Sequence, residues 1–330
     1  MVSKAPKKFG KSKGEAGYGQ GRAFIAEGDD VLLDKESMVE TLLACLNAPD
    51  YRPPTLPSVA LDLMNLSQKS DVDIDEVVSL IEKDSLIAGR ILKLVQSPVY
   101  SGVTPLSSLR DALMRLGLNT LRDLVMEMAM NLKVFRSADY ADTMELLKRH
   151  SSATAHLCKL VSKYTPVEGD FAFLAGLLHD VGIAGTLLAL SERKGKRKAP
   201  PDLIAIWPAV DEVHQHAATL MAEQWGLPSE LKLPIASHHQ VMIQGEAHPL
   251  AATVALANEL AHEFGWGVLP KEDGDLLEMT ELERDCVLSH TQVDRSSEST
   301  LERSREVLKL TDEQMTLIRD EAPSVLENIV

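Results

Sequence analysis

Apolar residues in this chain recur at intervals of three and four, and no stretch of useful length alternates with the two-residue period of a strand. Val59, Leu63 and Leu66 form one such stripe, Ile87, Ile91, Leu94 and Val95 a second, and Leu109, Leu113 and Leu116 a third. That rhythm restricts the chain to packed helices. The composition agrees: aromatics are only 4% of 330 residues, while the strong helix formers Leu, Ala, Met, Glu and Lys abound. An all-α fold without internal repeats is expected.

Start and stop signals set the helices apart. Ser37-Met-Val-Glu40 reads as a capping box opening a helix to about Leu46, and Asp73 with Glu76 three positions on opens another. Between them, the prolines of Tyr51–Pro57 call for an extended lead-in. Gln96–Gly102 is a loop by its Pro and Gly, Gly117 stops a helix, and the next runs from about Asn119 to Val134. Further helices are predicted over Ala141–Tyr164, Phe171–Val181 (stopped by Gly182), Val210–Trp225, Glu230–His239 and Pro249–Phe264. Thr311-Asp-Glu-Gln314 opens the last one. Met1 to about Asp30, with Lys4, Lys7, Lys8, Lys11 and Lys13 among Gly and Ser, has too little apolar surface to order itself. Arg193–Lys198 is a solvated basic loop.

A net charge of −15 argues against coating nucleic acid through its phosphates. The three cysteines, Cys45, Cys158 and Cys286, have no framework spacing, which suits a reducing cytoplasm. No uninterrupted apolar run reaches the roughly 18–20 residues of a membrane span, and the N-terminus lacks a signal-peptide core.

Seven of the ten histidines lie between His150 and His239. On the 141–164 helix, Leu147, His150, Thr154, Leu157, Val161 and Tyr164 share one stripe, so His150 points inward. His156 aligns with Arg149, Ser152, Lys159 and Lys163 on the wet face. His179-Asp180 ends an apolar helix, and adjacent helical residues converge on one ion only near a terminus or bend. A buried His beside a buried Asp is costly unless the two are hydrogen-bonded or share a cation. His238-His239 repeats the adjacent pairing. His214 and His216 face opposite ways, so at most one enters the same site, and periodicity alone does not choose.

The run Phe173-Leu-Ala-Gly-Leu-Leu-His-Asp-Val-Gly182 resembles the signature of the HD phosphohydrolase superfamily. His150-Ser-Ser-Ala-Thr-Ala, His216-Ala-Ala-Thr-Leu-Met-Ala-Glu-Gln-Trp-Gly-Leu-Pro228 and Ile235-Ala-Ser-His-His239 follow the order of the HD-related output domain (HDOD) family. Leu56–Leu63, Ile81–Leu86 and Ser107–Gly117 resemble that family's N-terminal helices. The resemblance spans about Leu56 to Phe264 and favours His216 over His214. It implies a helical N-terminal subdomain packed on an HD-superfamily helical core. The chain then divides into a disordered basic tail (1–30), the helical N-terminal half (31–135), the modified HD-like core (136–265) and an acidic helical extension (266–330).

In catalytic relatives, the resemblance implies, such residues hold one or two metal ions whose bound water attacks a phosphate ester. Carried over here, the metal ligands are His150, His179, Asp180, His216, His238 and His239, a set suited to Fe, Mn or Zn. Three departures stand out. The final Asp of the pattern is Asn258, a weaker ligand. The Lys that often follows HDxG is Ile183, and no GYP segment follows His238-His239. The expectation is a cytoplasmic signal-transduction module of a bacterial circuit, gated by a metal or nucleotide and acting through a regulatory protein partner. A metal-dependent phosphohydrolase acting on nucleotides is the alternative, and a metal-free polar core would explain the same histidines. A helix-turn-helix over Asp111–Met130 is a third reading, but its second helix offers one Arg against two acids, poor chemistry for DNA. Membrane association is not expected.

Overall fold

The Asp34 carboxylate accepts from the Ser37 amide at 2.8 Å and opens helix α1 (Lys35–Leu46), three residues before the capping box read from the sequence. The computed structural model describes residues 34–96, 108–167, 169, 171–192, 201–243, 245–268, 295–327 and 329. The expected basic tail, the Arg193–Lys198 loop, most of the Gln96–Gly102 loop and Cys286 lie outside them.

Helices α2 (Ser58–Leu66), α3 (Ile74–Glu82) and α4 (Ser85–Val95) bury the anticipated stripes, Val59, Leu63 and Leu66 on α2 and Ile87, Ile91 and Val95 on α4. Asp73 caps α3 through the Asp75 amide at 2.9 Å. Helix α5 (Leu109–Lys133) opens on a reciprocal Ser108–Asp111 capping box. Gly117, at φ 79°, bends α5 without ending it, because helix resumes at the next residue. Leu121 to Met126 are all buried, so this stretch is core and presents no reading face. His156, expected on a wet face, is mostly covered, its side chain 23% exposed: it packs edge-on against Phe173, with Glu127 Oε2 3.9 Å away.

Helix α6 (Ala141–Ser162), α7 (Ala172–Leu178), α8 (Val181–Glu192) and α9 (Leu203–Gln224) form the heart of the molecule. Gly182 does not stop a helix. It lies in the first turn of α8, where a Cβ would collide with the His214 carbonyl and stand 2.6 Å from the Ala218 nitrogen. Its task is to let α8 and α9 cross closely. Gly176 does the same for α7 against α6, since a Cβ there would meet Cys158 Sγ at 2.7 Å and Ala155 Cα at 2.8 Å. By length and composition Ala172–Glu192 could cross a membrane, but 94% of its most apolar 18-residue window is buried in the protein, and His179-Asp180 interrupts the apolar run.

Helix α10 (Ser229–Ala236) ends short of the predicted His239, and a two-by-two strand hairpin (Met242–Ile243 with Glu246–Ala247) leads to α11 (Pro249–Glu263). The His248 ring caps α11 by accepting from the Ala251 amide at 3.2 Å. Helices α12 (Arg295–Leu308) and α13 (Asp312–Glu327) pack on α11 and α6, burying Leu308, Met315, Ile318, Ala322 and Leu326. The Thr311–Gln314 capping box is present at the start of α13. Helix α1 lies across α8 and α9, held further by a Tyr51 hydroxyl on the Gly185 carbonyl and Trp225 Nε1 on the Pro54 carbonyl. The fold is all-α.

Candidate metal centre

Two residues, His179 and Asp180, separate α7 from α8, and His238-His239 follow the end of α10. Both adjacent pairs therefore sit where the helical 100° rotation no longer keeps neighbours apart. Helix α6 brings His150 from the opposite side, its Nε2 3.2 Å from His179 Nε2. The ligand atoms of His150, His179 and Asp180 lie within 4.8 Å of one another, as do those of His214, His238 and His239. Asp180 joins the two groups. Its Oδ2 stands 3.4 Å from His150 Nε2 and 3.2 Å from His179 Nε2, while Oδ1 stands 3.2 Å from His238 Nε2 and 3.9 Å from His214 Nε2. His150, His179, Asp180, His214 and His238 are buried, whereas His239 forms an exposed edge.

His216, assigned to this set from the sequence, lies elsewhere: it is exposed on the other side of α9, 3.2 Å from Asn47 Oδ1 on α1. His214 occupies the site instead, its Nε2 3.2 Å from both His238 Nε2 and His239 Nε2. The chain carries a signal for this, because Trp207, Val210, His214, Ala217 and Met221 form the buried three-four stripe of α9. His262 was also missed. Its ring lies 5.0 Å from that of His150, one turn beyond Asn258 on α11. Asn258 Oδ1 is buried and has no hydrogen-bond partner. Ile183 is fully buried, so the place of the hydrolase Lys holds no cation.

The outward-facing ring nitrogens decide the chemistry. His150 Nδ1 donates to the Trp266 carbonyl at 2.6 Å, His179 Nδ1 to Gly176 at 2.7 Å, His238 Nδ1 to Ile235 at 3.0 Å and His214 Nδ1 to Asp211. The Trp266 carbonyl is aimed by the turn after α11, in which Gly265 has φ 84° and the Trp266 amide closes onto Ala261. A carbonyl only accepts, so each Nδ1 carries a proton and Nε2 is the nitrogen that each ring turns inward. Burial first, and then the neighbouring His238, push the His214 pKa down to about 4, so this ring is neutral at pH 7. The Nε2 atoms of His214 and His238, 3.2 Å apart, repel wherever neither carries a proton, and a cation between them turns that repulsion into coordination. Burial alone would raise the Asp180 carboxyl, but His179 and the bonds from His150, His179 and His238 hold it well below the ordinary range. One anionic oxygen donor and five imidazoles fit a divalent Fe, Mn or Zn ion.

Comparison with known proteins gives the same frame. A protein of Treponema pallidum (strain Nichols), itself uncharacterized, is 28% identical over 218 residues, covering 62% of this chain; the chain spans only 41% of that protein's length. Solved structures with the same fold include an HDOD domain protein of unknown function from Geobacter sulfurreducens (23% identity, 88% of this chain and 99% of that one, TM-score 0.55). A candidate metal-dependent phosphohydrolase from Shewanella amazonensis SB2B has 20% identity, 83% and 98% coverage and a TM-score of 0.57. A candidate signal transduction protein from Marinobacter aquaeolei VT8 has 20% identity, 90% and 67% coverage and a TM-score of 0.55. At these identities the likeness is one of fold. The HDOD domain profile matches residues 54–241, more than half of the chain, which therefore belongs to the HDOD domain family.

Proposed function

We propose that this chain is an intracellular signal-transduction module whose core holds one or two divalent transition-metal ions and whose output is contact with a regulatory protein. The observation that carries the metal is the inward convergence of imidazole nitrogens whose other nitrogen is already committed to a backbone carbonyl. His150, His179 and one oxygen of Asp180 would hold one ion; His214, His238, His239 and the other oxygen would hold its neighbour. The backbone carbonyls of Gly176, Asp211, Ile235 and Trp266 keep the rings in register. Asn258 and Ile183, where a carboxylate and a cation would assist turnover, favour a regulatory over a catalytic use.

A second reading, phosphoester hydrolysis, draws support from the exposed edge at His239, through which solvent and a small ester would reach the ions. A bound dication would supply Lewis acidity there. Protein purified without chelator should carry Fe, Mn or Zn by elemental analysis, and His179→Ala and Asp180→Ala should lose it. A chain that takes up no metal under any loading condition would leave a metal-free polar core as the account. Nucleotide and cyclic-dinucleotide hydrolysis with Mn or Fe, lost in the same variants, would move the reading to the enzyme.

A further inference from the structure

Three of the four buried imidazoles are aimed by their own stretch of chain. His179 Nδ1 donates to Gly176, His214 Nδ1 to Asp211 and His238 Nδ1 to Ile235, each acceptor lying three residues upstream. His150 differs. Its Nδ1 donates to the Trp266 carbonyl, 116 residues along the chain and beyond residue 241, where the HDOD profile match ends. Helix α6 holds Trp266 twice, by that bond and by the Arg149 guanidinium, 4.9 Å from the centroid of the Trp266 ring. The C-terminal helices hold the same turn from outside: α12 packs along α11, and α13 along α6. Arg319 of α13 donates to both carboxylate oxygens of Glu263, the last residue of α11, at 3.1–3.3 Å. Just past α6, Gln314 Nε2 donates to the Tyr164 carbonyl at 3.1 Å and the Tyr164 hydroxyl donates to Glu321. Met315, Ile318, Ala322 and Leu326 form the buried three-four stripe of α13 between these polar contacts.

We infer that α13 is a regulatory strap: seated, it steadies the Glu263–Trp266 turn and the His150 ring, so the His150–His179–Asp180 group binds its ion tightly only while α13 is docked. This rests on the metal reading above. A helix end frays where little covers it, and undocking α13 takes Arg319 away from the α11 terminus, three residues before Trp266. Without the Trp266 acceptor the His150 ring turns and its inward nitrogen leaves the ion. His214 and His238 keep their local acceptors, so their group is indifferent to α13. In the other direction, a dication on His150 Nε2 makes the Nδ1 proton a stronger donor to Trp266 and tightens the turn. Whatever factor docking adds to metal affinity, the ion adds to docking. Occupancy deep in the core is thereby read at the surface as the seating of one helix.

Amide hydrogen exchange on metal-stripped full-length chain, with and without Mn2+, tests this on the wild type. Amides of α13 and of the Glu263–Trp266 turn should exchange on the order of 10-fold more slowly with Mn2+, while those of α2–α4 stay unchanged. Ile318→Asp puts a charge into the buried stripe and unseats α13. By calorimetry it should weaken, on the order of 10–100-fold, the Mn2+ binding that His150→Ala removes. Metal that a His150→Ala chain still binds should be held equally with and without Ile318→Asp, whereas a helix that merely covers the core would weaken it too. Should Ile318→Asp fail to fold, Arg319→Ala at the exposed ion pair carries the same comparison with a smaller effect. Exchange in α13 that ignores Mn2+, protection that rises equally in α2–α4, or Mn2+ affinity unchanged by unseating α13 overturns the inference and leaves the metal reading intact. A wild-type chain that takes up no Mn2+ overturns the metal reading, and the inference with it.

Discussion

His214 and His216 are two positions apart and face opposite sides of one helix, so the pair separates metal binding from simple conservation of charge or composition. His214 Nε2 stands 3.2 Å from two other imidazoles in the interior, while His216 touches Asn47 at the surface. His214→Ala should therefore remove a ligand and lower the affinity of the His238–His239 side on the order of 10–100-fold or more. His216→Ala should leave metal content unchanged and move stability by no more than about 0.5 kcal/mol. Elemental analysis and calorimetry of the two variants decide, and the opposite ranking would return the site to the assignment made from motif order. That assignment failed for a physical reason. Motif order aligns the segment His216–Pro228, but only the buried stripe Trp207, Val210, His214, Ala217, Met221 says which histidine faces inward. His150, His179, Asp180 and the His238-His239 pair were legible because inward position and adjacency at a helix end are local properties. His262 was not, since its place beside His150 depends on how α11 crosses α6, a tertiary fact.

At the scale of elements, the helices were readable from apolar spacing, while their ends and crossings were less so. Gly117 and Gly182 both looked like stops. Gly117 does adopt the positive φ of a terminus, yet the helix continues past it; Gly182 is ordinary helix and is a glycine because α9 leaves no room for a Cβ. That distinction depends on a neighbouring element and cannot be seen in local sequence. Gly182→Ala forces α8 and α9 apart beside Asp180 and His214, at a cost of about 1–3 kcal/mol or more for overpacking against backbone, with loss of metal. Gly89 is the contrast: it is exposed in the middle of α4, and a Cβ there meets nothing within 4 Å. Gly89→Ala should stabilise by about 0.4–1 kcal/mol without touching metal content. Thermal unfolding of both variants measures the difference, and a neutral Gly182→Ala would show that the crossing is loose.

For the whole molecule, the joint between the upstream helices and the histidine-rich core is polar where hydrophobic packing would have sufficed. Arg122, 2% exposed on α5, donates to Asp123 Oδ1 at 2.7 and 3.1 Å and to Ser67 Oγ on α2 at 3.2 Å, and stacks over Phe171. From α6, Lys159 Nζ approaches Asp123 Oδ2 at 3.8 Å, and the Ser152 hydroxyl donates to Glu127. Such a pair adds little net stability over an apolar substitute but makes misdocking expensive, because either charge left alone stays buried. Arg122→Met should cost about 3–5 kcal/mol at pH 7, while Arg122→Met with Asp123→Leu should lie much nearer to wild type. Burial lifts the Asp123 carboxyl to about 6 against the downward pull of Arg122. That lies above the ordinary aspartate value of 3.8, so folding takes up a proton here and acid favours the folded state through this group. Without Arg122 the carboxyl protonates more readily still, and the penalty of the single variant should shrink as pH falls below about 6. Denaturant unfolding of wild type, single and double variants at pH 7 and pH 5 reads both effects. A single-variant penalty that is the same at the two pH values would mean that Asp123 is not the group left uncompensated, and that the joint is held by the packing of Phe171 and Phe173 instead.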